Sequence, residues 1–383
     1  MECSMTRRIV SCCGGLLLLF MIDYMLHMWK LTVNWVVLRG IRMKRSKMFF
    51  AGLGEAINWI MAAVLIGSVM ACGSSSQEPI SSVEGVNNTG RKETSTPKNI
   101  PRIGLVMKTL TNPFFIEMER GARRAERVLG VELIVRTASQ ETSIEQQIQI
   151  VEDMIRLGVD GIVIAPGDSV RLVPILKKAV TDGIKVINID NRLDPKMIFE
   201  ADMPPIPFVS VDNEAAAYLA AQTLVAASEG RAKAAIIEGI RSADNARQRM
   251  EGAKRAFASH PEVELVASES ANWKIDEARE VARRIFAEHP DIQIVFAAND
   301  MMGLGVLQYL RESNRSEVKV GGFDALAEAI EEVRHGQMEV TVDQQAAEQG
   351  FKGVELALRQ LNGEVVPDIT LVESQLVTAM TLR

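Results

Sequence analysis

The sequence predicts an α/β protein of two similar lobes, each a parallel sheet flanked by helices, with a ligand held in the cleft between them. Three observations carry this. From Arg102 onward apolar strands alternate with amphipathic helices, the pattern of a parallel sheet covered by helices. The alternation runs to about residue 211 and then restarts, so two sheets of one design follow each other. Several strands end in Asp, Asn or Gln, and open parallel sheets bind ligands beyond the carboxyl ends of their strands.

The amino-terminal part stands apart from this body. Met43-Lys44-Arg45-Ser46-Lys47 is a basic start, residues 57–70 are an apolar run, and Val69-Met70-Ala71-Cys72 follows, the layout of a secretion signal. A small residue before a cysteine, with Gly73 and three serines after it, resembles a bacterial lipobox, which implies lipidation of Cys72 after cleavage of residues 43–71. An earlier apolar run, residues 16–28, is broken by Asp23 and His27 and falls short of the ~20 clean residues of a membrane span. Translation is therefore expected to begin at Met43, with residues 1–42 outside the native protein. Residues 73–99 are Ser, Asn, Thr, Gly and Pro with almost nothing apolar, a flexible tether between residue 72 and the body.

This division bounds the function. Cys3, Cys12, Cys13 and Cys72 all lie at or before the expected cleavage point, which excludes disulfides and thiolate metal sites from the body. Removing residues 1–71, with eight basic and three acidic side chains, leaves a net charge near −11 and argues against nucleic acid as a partner.

In the body, the strand at Arg102 leads to a helix over 113–129, a strand at Val131, a helix over 143–157, the strand at Gly161, a helix over 170–181 and the strand at Lys185. A Pro-rich insertion, 194–207, precedes a strand at Phe208. Helices over 214–227, 245–259, 275–288 and 301–312 then alternate with strands at Ala232, Glu264, Ile292 and Val318. Chain crossings are expected near Val211 and Asp212 and near Gln344 and Gln345, with helix 346–361 returning to the first lobe and a last strand, 369–378, crossing again. The lobes are thus 100–211 plus 345–372 and 212–344 plus 373–383, joined by a multi-strand hinge.

Four strand ends carry the chemistry. Residues 185–191 deliver Asp190 and Asn191, 292–300 deliver Asn299 and Asp300, 318–326 deliver Phe323 and Asp324, and 339–345 deliver Asp343 and Gln344. An Asp or Asn after a strand also serves as the cap of the next helix, so no single one is diagnostic. Four together, with aromatics beside them, point to a polyhydroxy ligand.

With the segment 108–115, KTLTNPFF, these motifs resemble the periplasmic sugar-binding proteins of ABC transporters, of the ribose and D-allose type. The resemblance spans 102–378 in order, through NIDN, IIEG, the Arg-rich DNARQR, LVASESANW, FAANDMMGLG, GGFD and TVDQQ. It implies two Rossmann-like lobes of the type I periplasmic binding protein fold that close on a monosaccharide. The pocket residues it implies are Lys108, Asn112, Phe114, Phe115, Asp190, Asn191, Arg247, Trp273, Asn299, Phe323, Asp324 and Gln344, with Arg249 and Arg241 assigned to the surface. Rings suit the C–H faces of a sugar and charged or amide groups its hydroxyls. Lys108 stands where ribose binders carry a small serine, which favours an aldohexose pyranose. Arginine follows the Asp in ribose binders, and here Asn191 does; the insertion is read as a surface loop on the hinge side.

His260, His289 and His335 fall near helix ends, and no HExxH, GxSxG, Walker loop or dinucleotide fingerprint appears, so no enzymatic activity, cofactor or metal is expected. The expected partners are a monosaccharide, an ABC transporter permease and, through the lipid anchor, the membrane; the chain is expected to act as a monomer on the periplasmic or outer face. A sensing role, presenting a sugar or a sugar-like signal such as autoinducer-2 to a membrane receptor, is the alternative. A sugar-responsive repressor would need a helix-turn-helix where the signal and tether stand.

Overall fold

The computed structural model describes residues 100–382. The expected start at Met43, the signal segment, Cys72 and the tether lie outside these residues. The first lobe runs β1 (Arg102–Met107), α1 (Pro113–Leu129), β2 (Glu132–Thr137), α2 (Ile144–Leu157), β3 (Gly161–Ile164), α3 (Val173–Thr181), β4 (Lys185–Ile189), α4 (Pro195–Glu200) and β5 (Phe208–Ser210). The second runs α5 (Asn213–Ala226), β6 (Ala232–Glu238), α6 (Asp244–Ala258), β7 (Val263–Ser270), α7 (Ile275–Glu288), β8 (Ile292–Ala297), α8 (Asp300–Glu312), β9 (Lys319–Gly321), α9 (Ala327–Arg334) and β10 (Val340–Asp343). The chain ends with α10 (Ala346–Leu361), β11 (Ile369–Leu371) and β12 (Gln375–Thr378).

The first sheet has the order β11-β5-β4-β3-β1-β2 and is parallel throughout. In the second, ordered β12-β10-β9-β8-β6-β7, only the β10–β12 pair is antiparallel. Strand order reverses beside β1 in one sheet and beside β6 in the other, and such switch points are where doubly wound sheets leave a crevice. Strand alternation divides the first core. Ile103, Leu105 and Met107 join Phe115 and Met118 of α1, whereas Val106, Ile162 and Ile164 join Met154 of α2 and Leu176 of α3.

Local chemistry sets the elements that matter for the cleft. Asn112 caps α1 by accepting from the Phe114 N–H, Pro113 fills the first turn, and Gly130 ends the helix in the left-handed conformation. Two helices escaped the sequence reading. The insertion holds α4, capped by Asp194, and α9 follows β9; both are too short for a clear apolar period. Residues 369–378 are two strands rather than one, because the chain leaves the first sheet after Leu371 and joins the second at Gln375.

Helices α1 and α10 pack with backbone against backbone. A Cβ on Gly121 would fall 1.7 Å from the Ala347 carbonyl oxygen, and one on Gly350 would fall 2.1 Å from that of Met118. Backbone cannot yield there as a side-chain tip does, so Gly121→Ala should force the helices apart and cost about 1–3 kcal/mol or more. Urea denaturation of Gly121→Ala beside Gly130→Ala, where no atom stands in the way but φ is positive, checks this. Equal stability of Gly121→Ala and wild type would refute the close contact.

Candidate functional site

Between the two sets of strand ends lies a small cavity lined by Lys108, Asn112, Phe114, Phe115, Glu141, Asp190, Asn245, Arg249, Trp273, Asn299, Asp324 and Gln344. Every lining side chain comes from the carboxyl end of a strand, the turn after it, or the first turns of the next helix.

The first lobe supplies one ion pair, an amide and two rings. Lys108 Nζ lies 2.8 Å from Asp190 Oδ2, both side chains 3% exposed. Asp190 has φ 63°, a left-handed conformation that ends β4 sharply and turns the carboxylate over the strand ends. Asn112 donates from Nδ2 to Glu141 Oε1 at 3.0 Å while its Oδ1 caps α1, so both ends of the amide are fixed. Phe114 and Phe115 meet edge to face at 5.1 Å, and the Lys108 ammonium stands 5.5 Å from the Phe115 ring.

The second lobe is built on Arg249. Its guanidinium donates to Asn213 Oδ1 at 2.8 Å, the Ala298 carbonyl at 2.9 Å and Gln344 Oε1 at 3.1 Å, and lies 3.6 Å from Asp324 Oδ1. One face stacks on the Phe323 ring at 3.8 Å, and Trp273 is 5.6 Å away. Gln344 also donates from Nε2 to Asp324. Trp273 has φ 68°, and its indole lies over Gly239, where a Cβ would come within 2.2 Å of the ring. Asn299 caps α8 through its Oδ1 and the Met302 N–H.

The structure thus brings together Lys108, Asn112, Phe114, Phe115, Asp190, Trp273, Asn299, Asp324 and Gln344, and moves three expected residues out. Arg247 is replaced by Arg249. Arg247 is 45% exposed and bound to Asp244, on the outer side of α6. The two positions lie some 200° apart around a helix, so only one can face the cavity. Asn191 is buried behind the cavity, where Nδ2 donates to the Pro166 carbonyl and Oδ1 accepts from the Asn245 N–H of the other lobe. Phe323 is the platform beneath Arg249 rather than a lining residue. Glu141 and Asn245 are additions; Glu141 sits in a polar loop without periodicity, and Asn245 reads as an ordinary first-turn helix residue.

The lobes meet directly beside the cavity. Ser169 N donates to the Ser242 carbonyl at 3.2 Å, Asp244 N donates to Ser169 Oγ at 3.0 Å, and Asn245 donates from Nδ2 to Asp190 Oδ1 at 3.2 Å. Two buried polar atoms at the cavity, Asn245 Oδ1 and Trp273 Nε1, lack a hydrogen-bond partner among the described residues, and a third, Asp190 Oδ2, meets only the Lys108 ammonium. Two accept and one donates, a set that hydroxyl groups satisfy.

Burial governs the acids here. Desolvation raises the Glu141 carboxyl above its usual range, opposed by Lys108 and by the Asn112 amide. It raises Asp324 as well, with Arg249 opposing. Asp300, fully buried behind Asp324, is pushed up to about 6, chiefly by desolvation. Its carboxylate accepts from Thr341 Oγ1 at 2.7 Å and from the Leu326 N–H at 2.8 Å, and Gly322 passes so close that a Cβ would stand 2.1 Å from Oδ1. These bonds hold Asp324 and Ala325 in their positive-φ conformations of 123° and 52°. Among the described residues no group of His, Cys, Asp and Glu is arranged to hold a metal ion.

Residues 103–364 match the model of the periplasmic binding protein domain. The chain is 39% identical over 303 residues to the D-ribose/D-allose-binding protein of Pseudomonas aeruginosa, covering 78% of this chain and 91% of that one. It is 33% identical over 283 residues to the D-allose-binding periplasmic protein of Escherichia coli, covering 72% and 91%. A crystal structure of an ABC transporter periplasmic solute-binding protein from Actinobacillus succinogenes with bound D-allose superposes with a TM-score of 0.70 at 38% identity, covering 73% of this chain and 98% of that one.

Asp300 generates a pH-dependent prediction. Its pKa in the folded protein, about 6, lies above the ordinary value of 3.8, so the native state holds its proton more tightly than the unfolded chain. The stability it contributes is fully present below about pH 4 and is lost as pH rises through 6, a loss of about 3 kcal/mol in all. The stability difference between wild type and Asp300→Asn should therefore move against the wild type across this window. Denaturation midpoints at several pH values measure it, and a difference that stays constant from pH 4 to 7 would contradict the assignment.

Proposed function

The chain belongs to the family of periplasmic binding protein domains, and from that premise we propose that it is the exported solute-binding protein of an ABC transporter, taking a neutral monosaccharide of the allose or ribose kind. The observation that carries this is the lining of the cavity. Three aromatic side chains and a ring of charged and amide groups converge from two lobes on one small cavity. Rings cover the C–H faces of a sugar, and Asp190, Asn299, Arg249 and Asp324 match hydroxyls that donate and accept. The D-allose and D-ribose named for the relatives are the first ligands to try, and Lys108 favours an aldohexose.

In this reading the protein releases its sugar to a membrane permease. The ligand reaches both halves of the pocket only when the lobes are together, so it stabilises the closed form by its differential affinity. That form presents one continuous surface across both lobes, which a permease distinguishes from the open one. Catalysis plays no part in it. Lipidation at Cys72 is proposed on the signal-like segment before it and the polar tether after it, and keeps the domain near the membrane.

Arg249→Ala should weaken sugar binding by about 2–5 kcal/mol, because it leaves Asp324 buried without its cation, while Arg247→Ala should stay within about 0.5 kcal/mol of wild type. Isothermal calorimetry with D-allose and D-ribose decides, and the opposite ranking would return the pocket to Arg247. Trp273 is the sole tryptophan after Cys72, so its emission should change on titration with a bound sugar. A flat emission signal alongside calorimetric binding would place the indole off the ligand. Expressed from Met43 in a bacterium, the wild type should take up labelled lipid and Cys72→Ser should not; label retained by the variant would refute the anchor.

A further inference from the structure

Asn245 opens α6 in the second lobe, yet most of its bonds cross to the first. Its backbone N–H donates to Asn191 Oδ1 at 3.2 Å and its side-chain Nδ2 donates to Asp190 Oδ1 at 3.2 Å. A carboxylate only accepts, so the amide must turn its NH₂ toward Asp190, which fixes where the oxygen goes. That oxygen, Oδ1, has no partner among the described residues, although Asn245 is only 3% exposed and lines the cavity. A buried acceptor left in this condition costs stability unless a ligand or water serves it.

The other half of the pair is Asp190 Oδ2. It meets the Lys108 ammonium at 2.8 Å and keeps a second lone pair with which to accept from a ligand. Two acceptors from opposite lobes therefore lie on one bridge, joined through the Asn245–Asp190 bond. A sugar hydroxyl carries one proton and cannot donate to both. Two neighbouring hydroxyls can, each keeping its lone pairs to accept.

Resting on the sugar-binding reading above, we propose that Asn245 is a specificity-determining residue that accepts from one hydroxyl of a vicinal pair on the monosaccharide, while Asp190 accepts from its neighbour. The pair is then read from both lobes at once, and only when they are closed. A sugar lacking one of the two hydroxyls leaves a buried acceptor open and also weakens the link between binding and closure.

The test uses whichever of D-allose and D-ribose the wild type binds more tightly, with its set of monodeoxy analogues, in calorimetry on the purified protein. For the wild type, loss of either of two adjacent hydroxyls should cost roughly tenfold or more in affinity. In Asn245→Ala the penalty at one of the two positions should fall to nearly none, while its neighbour's penalty remains. Ser169→Ala, which removes a lobe-to-lobe bond of a residue that does not line the cavity, supplies the contrasting pattern of one common loss for every sugar. The assignment is overturned if Asn245→Ala shows that common loss, or if the two costly positions are not adjacent. Thermal melting establishes that Asn245→Ala folds, and Asn245→Ser, whose hydroxyl is too short to span the cleft, repeats the test if it does not. Failure of every sugar to bind the wild type defeats the sugar reading and this assignment together, whereas normal binding with a uniform loss defeats this assignment alone.

Discussion

One buried positive charge organises the second lobe. Arg249 is 2% exposed, and a guanidinium in that position is tolerable only when its donors are matched and a carboxylate lies near. The matching reaches across the lobe, to Asn213 at the start of α5, the Ala298 carbonyl after β8 and Gln344 after β10, with Asp324 after β9 beside them. Four chain segments are therefore held around one side chain. Phe323 supports it from beneath, and Gln344 ties it to Asp324. The group that a sugar would meet is the same group that fixes the strand ends of its lobe, so binding geometry and lobe architecture cannot vary separately.

The first lobe solves the same problem with a shorter pair, Lys108 and Asp190, and each lobe carries its own cation and anion into the cleft. Each face of the cleft thus pairs a cation with a carboxylate instead of presenting like charges alone. Burial raises the carboxyls of Glu141, Asp300 and Asp324 above their usual range. Contact between the lobes falls to Ser169, Ser242 and the amino end of α6, where the Asn245 amide reaches the Asp190 carboxylate.

Much of this was legible in the sequence because a parallel sheet announces itself by period, and its strand ends are the site. Helices 113–129, 275–288 and 346–361 are bounded to the residue by their apolar faces, the first also by its Asn112 cap. The arginine was the error, and the reason lies in phase. The buried positions of α6 are 245, 246, 249, 252, 253, 256 and 257, a clean 3.6-residue stripe in which Arg249 sits and Arg247 does not. Composition marks both as polar helix residues; only periodicity separates them. Glu141 had no such signal, since its loop is polar throughout and its role comes from the distant Asn112. Asn191 was placed in the pocket by adjacency to Asp190, but the left-handed turn at 190 sends the next side chain behind the cavity, a backbone event that side-chain chemistry does not reveal.

That turn is one of three. Asp190, Trp273 and Asp324, the acid of one lobe and the ring and acid of the other, all have positive φ, a conformation that non-glycine residues enter at a cost of order 1–3 kcal/mol. Glycine at any of the three would relieve the backbone and remove a side chain that lines the cavity. Neighbouring structure must offset the cost. For Asp324 the offset is visible in the Asp300 carboxylate and Thr341 hydroxyl that hold the loop around it. For Trp273 it is the indole seated over Gly239. For Asp190 it is the Lys108 ammonium on its carboxylate and the Ser210 hydroxyl on its carbonyl, both of its own lobe, with the Asn245 amide added from the other. The backbone turn that carries Asp190 is thereby tied to both lobes at once.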